Sequence, residues 1–292
     1  MKWIRFVDDR GCVNFGTLDE ADDPVTVAVH QGELFTEAAA TGQRLRLDEV
    51  TVLPPCQPTK MIGLWNNSHS VAAKQGWPTP TEPLYFLKPP SSFIGDRGMI
   101  RRPTSYHGHI VYEGELGIVI GTTCTDVALA DVDEVVFGYT CVNDITALGL
   151  IDADPQFAQW SRAKGFDTFG AFGPVISTDV NPDLARIRTI VGGKVRQEYA
   201  ASDLIFSPRQ LVSLLSRDMT LCPGDLIACG TSIGVLPMRP GVPVDVCIDG
   251  IGQLTNALGS LAFQVESAGR TTGTTTSGRP GTRRICGARS SR

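Results

Sequence analysis

Apolar and polar positions alternate along this chain over short distances, and the pattern predicts strands far more often than helices. Residues 112–121 read Tyr-Glu-Gly-Glu-Leu-Gly-Ile-Val-Ile-Gly, an apolar run broken by two glutamates two positions apart. On a strand, both side chains share one face. A second apolar run, 135–143, predicts another strand and delivers Asp144 at its end. Upstream, runs at 3–7 and 25–29 separated by Gly and Asp turns predict a small strand-rich N-terminal domain over 1–53. Pro54-Pro55-Cys56-Gln57-Pro58 reads as a linker into a larger domain spanning 59–266. That domain is expected to be mostly β, with segments such as 227–231 and 244–248 and with helices at 67–75, 154–164 and 208–217. The fold class is mainly β or α+β.

Composition narrows the function classes. At 292 residues, 42% hydrophobic and 20% charged, the chain is long enough for a large buried core. No apolar run reaches the roughly 18 residues of a membrane span, and the start lacks a signal-peptide pattern, so a cytoplasmic protein without membrane association is expected. Eight scattered cysteines, with no CxxC, read as reduced thiols. A net charge of -5 and the lack of a basic, aromatic-laced stripe in the body argue against nucleic-acid binding. Residues 267–292 turn to Gly, Thr, Ser and Arg, with six arginines and no acid between Arg270 and Arg292; this basic tail is expected to be disordered and is assigned no function. Gly250-Ile251-Gly252 lacks the third glycine of a dinucleotide fingerprint, and no GxxxxGK[ST] loop occurs.

Glu113, Glu115 and Asp144 are the candidate chemistry. Three carboxylates brought to one place repel, and a divalent cation relieves the repulsion. Oxygen donors without a Cys/His pair suit Mg2+ or Mn2+ better than Zn2+, and three protein ligands leave coordination positions for substrate oxygens. The same spacing also suits an ordinary two-faced strand, with Glu113 and Glu115 in solvent and Asp144 capping a turn.

Six segments in order then carry a resemblance. They are Gly63-Leu64-Trp65-Asn66-Asn67-Ser68-His69 with Glu82-Pro83-Leu84-Tyr85-Phe86-Leu87-Lys88; Glu113 and Glu115; Gly138 to Asp144; Ala163-Lys164-Gly165-Phe166-Asp167; Gly192 to Gln197; and Leu221-x-Pro223-Gly224-Asp225 with Gly230-Thr231-x-x-Gly234. Across about 60–260 the chain resembles the fumarylacetoacetate hydrolase family. The resemblance implies a mixed β-roll catalytic domain, a homodimer, Mg2+ or Mn2+ held by Glu113, Glu115 and Asp144, and a small keto-acid substrate. It further implies that Lys164 supports a developing oxyanion, that His69 is the general base, and that Gln197 and Thr231 lie at the substrate. His107 and His109 are read as structural or rim residues.

The chain departs from the family pattern at three places. A glutamate that commonly follows the histidine by three positions is Ala72, an arginine four positions after the metal aspartate is Leu148, and Trp65-Asn66 stand where Asn-Tyr is usual. The expected activity is metal-dependent hydrolysis of a carbon–carbon bond in an acylpyruvate or related diketo acid, in aromatic or sugar-acid catabolism. Isomerase, decarboxylase or hydratase action on a 2-hydroxymuconate-like or 2-oxo-alkenoate acid is the alternative, and a non-catalytic metal or keto-acid binding protein the third.

Overall fold

The computed structural model describes residues 1–260; the tail expected at 267–292 lies outside the described residues, as does the end of the 59–266 unit. Among the described residues two sheets dominate, one of twelve strands and one of five, with a short two-stranded pair beside them. Antiparallel pairing prevails, but Leu226–Ala228 runs parallel to Met61–Trp65, so the main sheet is mixed. This agrees with the mainly β, roll-like fold expected.

At the middle of the large sheet, Gly114–Ile120 lies between Val136–Asp144 and Leu226–Ala228. All seven of its residues are buried, because both of its faces are covered. Leu116, Ile118 and Ile120 join the main core with Val244, Val246 and Leu254 of the five-stranded sheet. Val119 instead meets Trp3, Met61, Phe172 and Leu226 in a second cluster. The period of two thus sends successive side chains into two different apolar clusters.

The N-terminal strands belong to the same large sheet. Lys2–Val7 pairs antiparallel with Gly170–Ser177, setting Trp3 opposite Ile176, and Val13–Asp19, Thr26–Gln31 and Ala39–Arg46 extend the sheet outward. Asp225, fully buried, ties the start of the larger unit to the 221–225 turn. Its carboxylate accepts from Thr59 N, Thr59 Oγ1, Lys60 N and Cys222 N and pairs with Lys60 at 2.5 Å. The Leu-x-Pro-Gly-Asp segment is therefore a structural clasp.

Helices are few: α1 (His69–Gln75), α2 (Val132–Val135), α3 (Trp160–Lys164) and α4 (Pro208–Asp218). The pattern of 67–75 predicts α1 two residues too early, because Asn67 is committed elsewhere and Ser68 is the N-cap, accepting from Val71 N. The expected helix over 154–164 is corrected more severely. Asp154 Oδ1 accepts from Gln156 N and Phe157 N, a local turn that competes with helix, and regular helix starts at Trp160. Among the described residues, no helix is long and apolar enough to cross a membrane. The seven described cysteines form no disulfides; Cys286 lies outside the described residues.

Candidate active site

Antiparallel register brings the acids together. Gly114 pairs with Asn143, and Asp144 N donates to Glu113 O at 2.8 Å, so the start of one strand meets the end of its neighbour. One carboxylate oxygen from each of Glu113, Glu115 and Asp144 can be chosen so that all lie within 4.8 Å of one another. Glu115 is 1% exposed and Asp144 fully buried, which removes the solvent-face reading of this strand.

Two buried lysines balance the acids. Lys164, the last residue of α3, donates to Glu113 Oε2 at 2.7 Å and to Asp144 Oδ2 at 2.5 Å. Lys88, at the end of Leu84–Lys88, donates to Asp144 Oδ1 and to Ile145 O at 3.2 Å. Thr146 Oγ1 donates to Glu113 Oε1 at 3.0 Å, and Gly230 N to Glu115 Oε2 at 2.7 Å. Burial opposes the charge on Asp144, but Lys164 and Lys88 overcome it and hold the carboxyl below its usual range. Glu115 is pushed well above that range by burial and then by the charges of Asp144 and Glu113. Burial works against the Lys164 charge as well, yet Asp144 and Glu113 raise its pKa, so it stays an ammonium and is not a base.

The donor set fits a hard divalent cation. It is all carboxylate, each oxygen keeps a lone pair beyond its present hydrogen bond, and three acids against two ammoniums leave one negative charge. A dication turns that to one positive charge, which the carboxylate of a monoanionic 2-oxo acid neutralises.

Above this cluster is a cavity of about 340 Å3, at the small end for a ligand site. Glu113 and Lys164 lie at its acidic end, Thr231 to Val235 form one side, and Trp65, Trp77, Phe86 and Trp160 form an aromatic wall. Thr231 lines the cavity. Gln197 does not. It is 1% exposed, and its amide is occupied by Gly114 N at 3.1 Å, Thr231 Oγ1 at 2.8 Å and Ser232 O at 2.9 Å, so it braces the Gly230–Gly234 loop. His69 is exposed at the first position of α1, outside the lining, although Ser68, Val71, Lys74 and Gln75 belong to it. His107 and His109 are also exposed and outside it.

Sequence reasoning passed over two functional features. Lys88 was signalled by a lysine ending an apolar strand, where burial demands a partner. Asp203 carried no sequence signal. Its carboxylate accepts from Ser68 Oγ and Ser70 Oγ, both at 2.6 Å, and from Ser70 N at 3.1 Å, so it ties the start of α1 to the segment before α4.

Comparison with known proteins agrees with this geometry. Residues 60–258 match the model of the fumarylacetoacetate (FAA) hydrolase C-terminal domain, and residues 1–55 match the Rv2993c-like N-terminal domain. Oxaloacetate tautomerase YisK of Bacillus subtilis is 36% identical over 227 residues, which is 73% of this chain and 74% of that one. The crystal structure of 5-carboxymethyl-2-hydroxymuconate delta-isomerase from Mycobacterium smegmatis is 36% identical with a TM-score of 0.81, covering 89% of this chain and 99% of its own. Maleylpyruvate hydrolase from Sphingobium sp. SYK-6, solved with manganese(II) and pyruvate, is 26% identical with a TM-score of 0.69, covering 89% of this chain and 100% of its own. With residues 60–258, two thirds of its length, matched in this way, the chain belongs to the fumarylacetoacetate hydrolase family.

Proposed function

We propose that this protein is a divalent-metal-dependent enzyme that enolises a small 2-oxo acid, giving tautomerisation, isomerisation or decarboxylation according to the substrate. The observation that carries this reading is the buried Glu113–Glu115–Asp144 cluster, in which a protonated Lys164 bridges Glu113 and Asp144, and Glu113 and Lys164 open onto the aromatic-walled cavity. Mg2+ or Mn2+ held by the three acids would supply Lewis-acid polarisation of a chelated 2-oxo group. Lys164 adds a fixed positive charge where enolate oxygen charge develops, and being pre-positioned it costs no reorganisation in the transition state. Gln197 donates to Thr231 Oγ1, which donates in turn to Gly114 O at 3.1 Å, so the pair fixes the wall of the cavity against which the substrate rests. Phe86 and Trp160 keep water from the floor. His69, exposed at the first position of α1 and next in sequence to Ser68 of the lining, is proposed as the proton carrier to solvent.

Hydrolysis is the second reading, supported by the likeness to a maleylpyruvate hydrolase with bound manganese and pyruvate. It requires an oriented base for water, and Ala72 offers no carboxylate to orient His69. The two relatives at 36% identity are a tautomerase and an isomerase, which favours enolisation. A homodimer is proposed as the working unit, since the edge strand Leu84–Lys88 exposes Leu84, Tyr85 and Leu87.

The test is to incubate the protein with Mg2+ or Mn2+ and a panel of oxaloacetate, acylpyruvates and 2-hydroxymuconate-type diacids, following ultraviolet change and product mass. A tautomer or isomer of unchanged mass, or carbon dioxide, supports enolisation. Pyruvate plus a carboxylic acid moves the assignment to hydrolysis, and metal binding without turnover to a binding protein.

A further inference from the structure

We infer that the cavity selects a 2-oxo acid whose far end is an aryl or branched-alkyl group, and discriminates against one ending in a second carboxylate. This rests on the reading of the floor as a 2-oxo-acid site. Three of the chain's four tryptophans line this one cavity. They form a continuous track: Phe86 stacks on Trp160 with centroids 5.4 Å apart and planes at 10°, Trp160 meets Trp65 at 5.9 Å, and Trp65 meets Trp77 at 5.0 Å.

The track begins at the chemistry and ends at solvent. Lys164 Nζ stands 4.7 Å from the Phe86 centroid, Phe86 is 7% exposed, and Trp77 at the far end is 37% exposed. A planar or branched tail on a 2-oxo acid anchored at the floor would lie along these faces, where offset and edge contacts are favourable. Leu148 and Ile151 complete the apolar lining.

A distal carboxylate would lose its hydration against the same aromatic wall, and the cation left to it in the lining is Lys74. Leu148, 47% exposed in the lining, offers such a group no hydrogen-bond donor from its side chain. Apart from Glu113 and Lys164, the charged lining residue is Lys74, which is exposed on α1, so an ion pair formed there is screened by water and adds little.

The experiment compares kcat/KM of the Mn2+-loaded full chain for phenylpyruvate against oxaloacetate, and for an aryl acylpyruvate against one ending in a carboxylate. Quenching of tryptophan fluorescence serves as a separate binding readout. The expected result is a preference of about tenfold or more for the aryl member of each pair, in turnover or in binding. Leu148→Arg, at a half-exposed position, should move the preference toward the diacids, and Trp160→Ala should weaken the aryl compound while sparing pyruvate. Equal or better use of the diacids overturns the inference and leaves the 2-oxo-acid reading standing. Neither turnover nor metal-dependent quenching with any 2-oxo acid overturns that reading and the inference with it.

Discussion

Lys88 and Lys164 each hold one oxygen of the Asp144 carboxylate, and this pairing is what makes three buried acids tolerable before any cation binds. Breaking such a pair leaves a charge uncompensated in the interior. Lys88→Met should therefore cost about 3 kcal/mol in urea unfolding; a loss within error of zero would show that Asp144 is balanced without it. Glu115 makes a different prediction. Its carboxyl is raised by burial and by its acidic neighbours, so in the metal-free protein it holds a proton to higher pH than an exposed glutamate. A cation requires the carboxylate form, so binding should release a proton and affinity should weaken as pH falls. Titration calorimetry in two buffers of different ionisation heat checks this, and identical heats would contradict it. Glu115→Ala should abolish turnover and metal-induced thermal stabilisation together; retained metal-dependent turnover would sink the proposed ligand set.

At the scale of elements, the site depends on how closely backbones approach. Gly114, between the two glutamates, lies so near the second sheet that a Cβ would stand 2.0 Å from Thr189 Oγ1. Gly230 has φ +99°, a conformation that L side chains rarely adopt, and from it its N–H reaches Glu115. Gly230→Ala should cost about 1–2 kcal/mol from backbone strain. It should also weaken Mg2+ affinity, because the Glu115 carboxylate loses its backbone donor; unchanged affinity would remove the loop from the metal site. α1 and α3 are short, five to seven residues, and neither would persist alone. Both are held by packing, and α1 also by Asp203, which explains why the helical pattern marked their presence better than their starts.

Across the whole molecule, the N-terminal strands and the catalytic strands share one sheet. Lys2–Val7 covers the edge of Gly170–Ser177, and Trp3 packs with Phe172 and Ile176. A single cooperative transition is expected in calorimetry, shifted upward by Mg2+ by mass action on the folded state; two separated transitions would show that residues 1–55 fold independently.

Much of this was legible in the chain itself. Period-two alternation exposed the strands, the two glutamates two apart had to share a face, and the ordered motifs from Gly63 to Gly234 identified the family. These are local properties, set by backbone geometry and by spacing. The sequence grouped Asp144 with Glu113 and Glu115, but it could not say which strand register would join them, that Lys88 would stand behind Asp144, or that Gln197 would brace a loop rather than face the cavity. Nor could it gather Trp65, Trp77 and Trp160 into one wall. Those relations join residues tens of positions apart, and only register, strand order and packing decide them; the burial that raises Glu115, and the buried lysines that lower Asp144 against that same burial, come into place only once the sheets have closed around them.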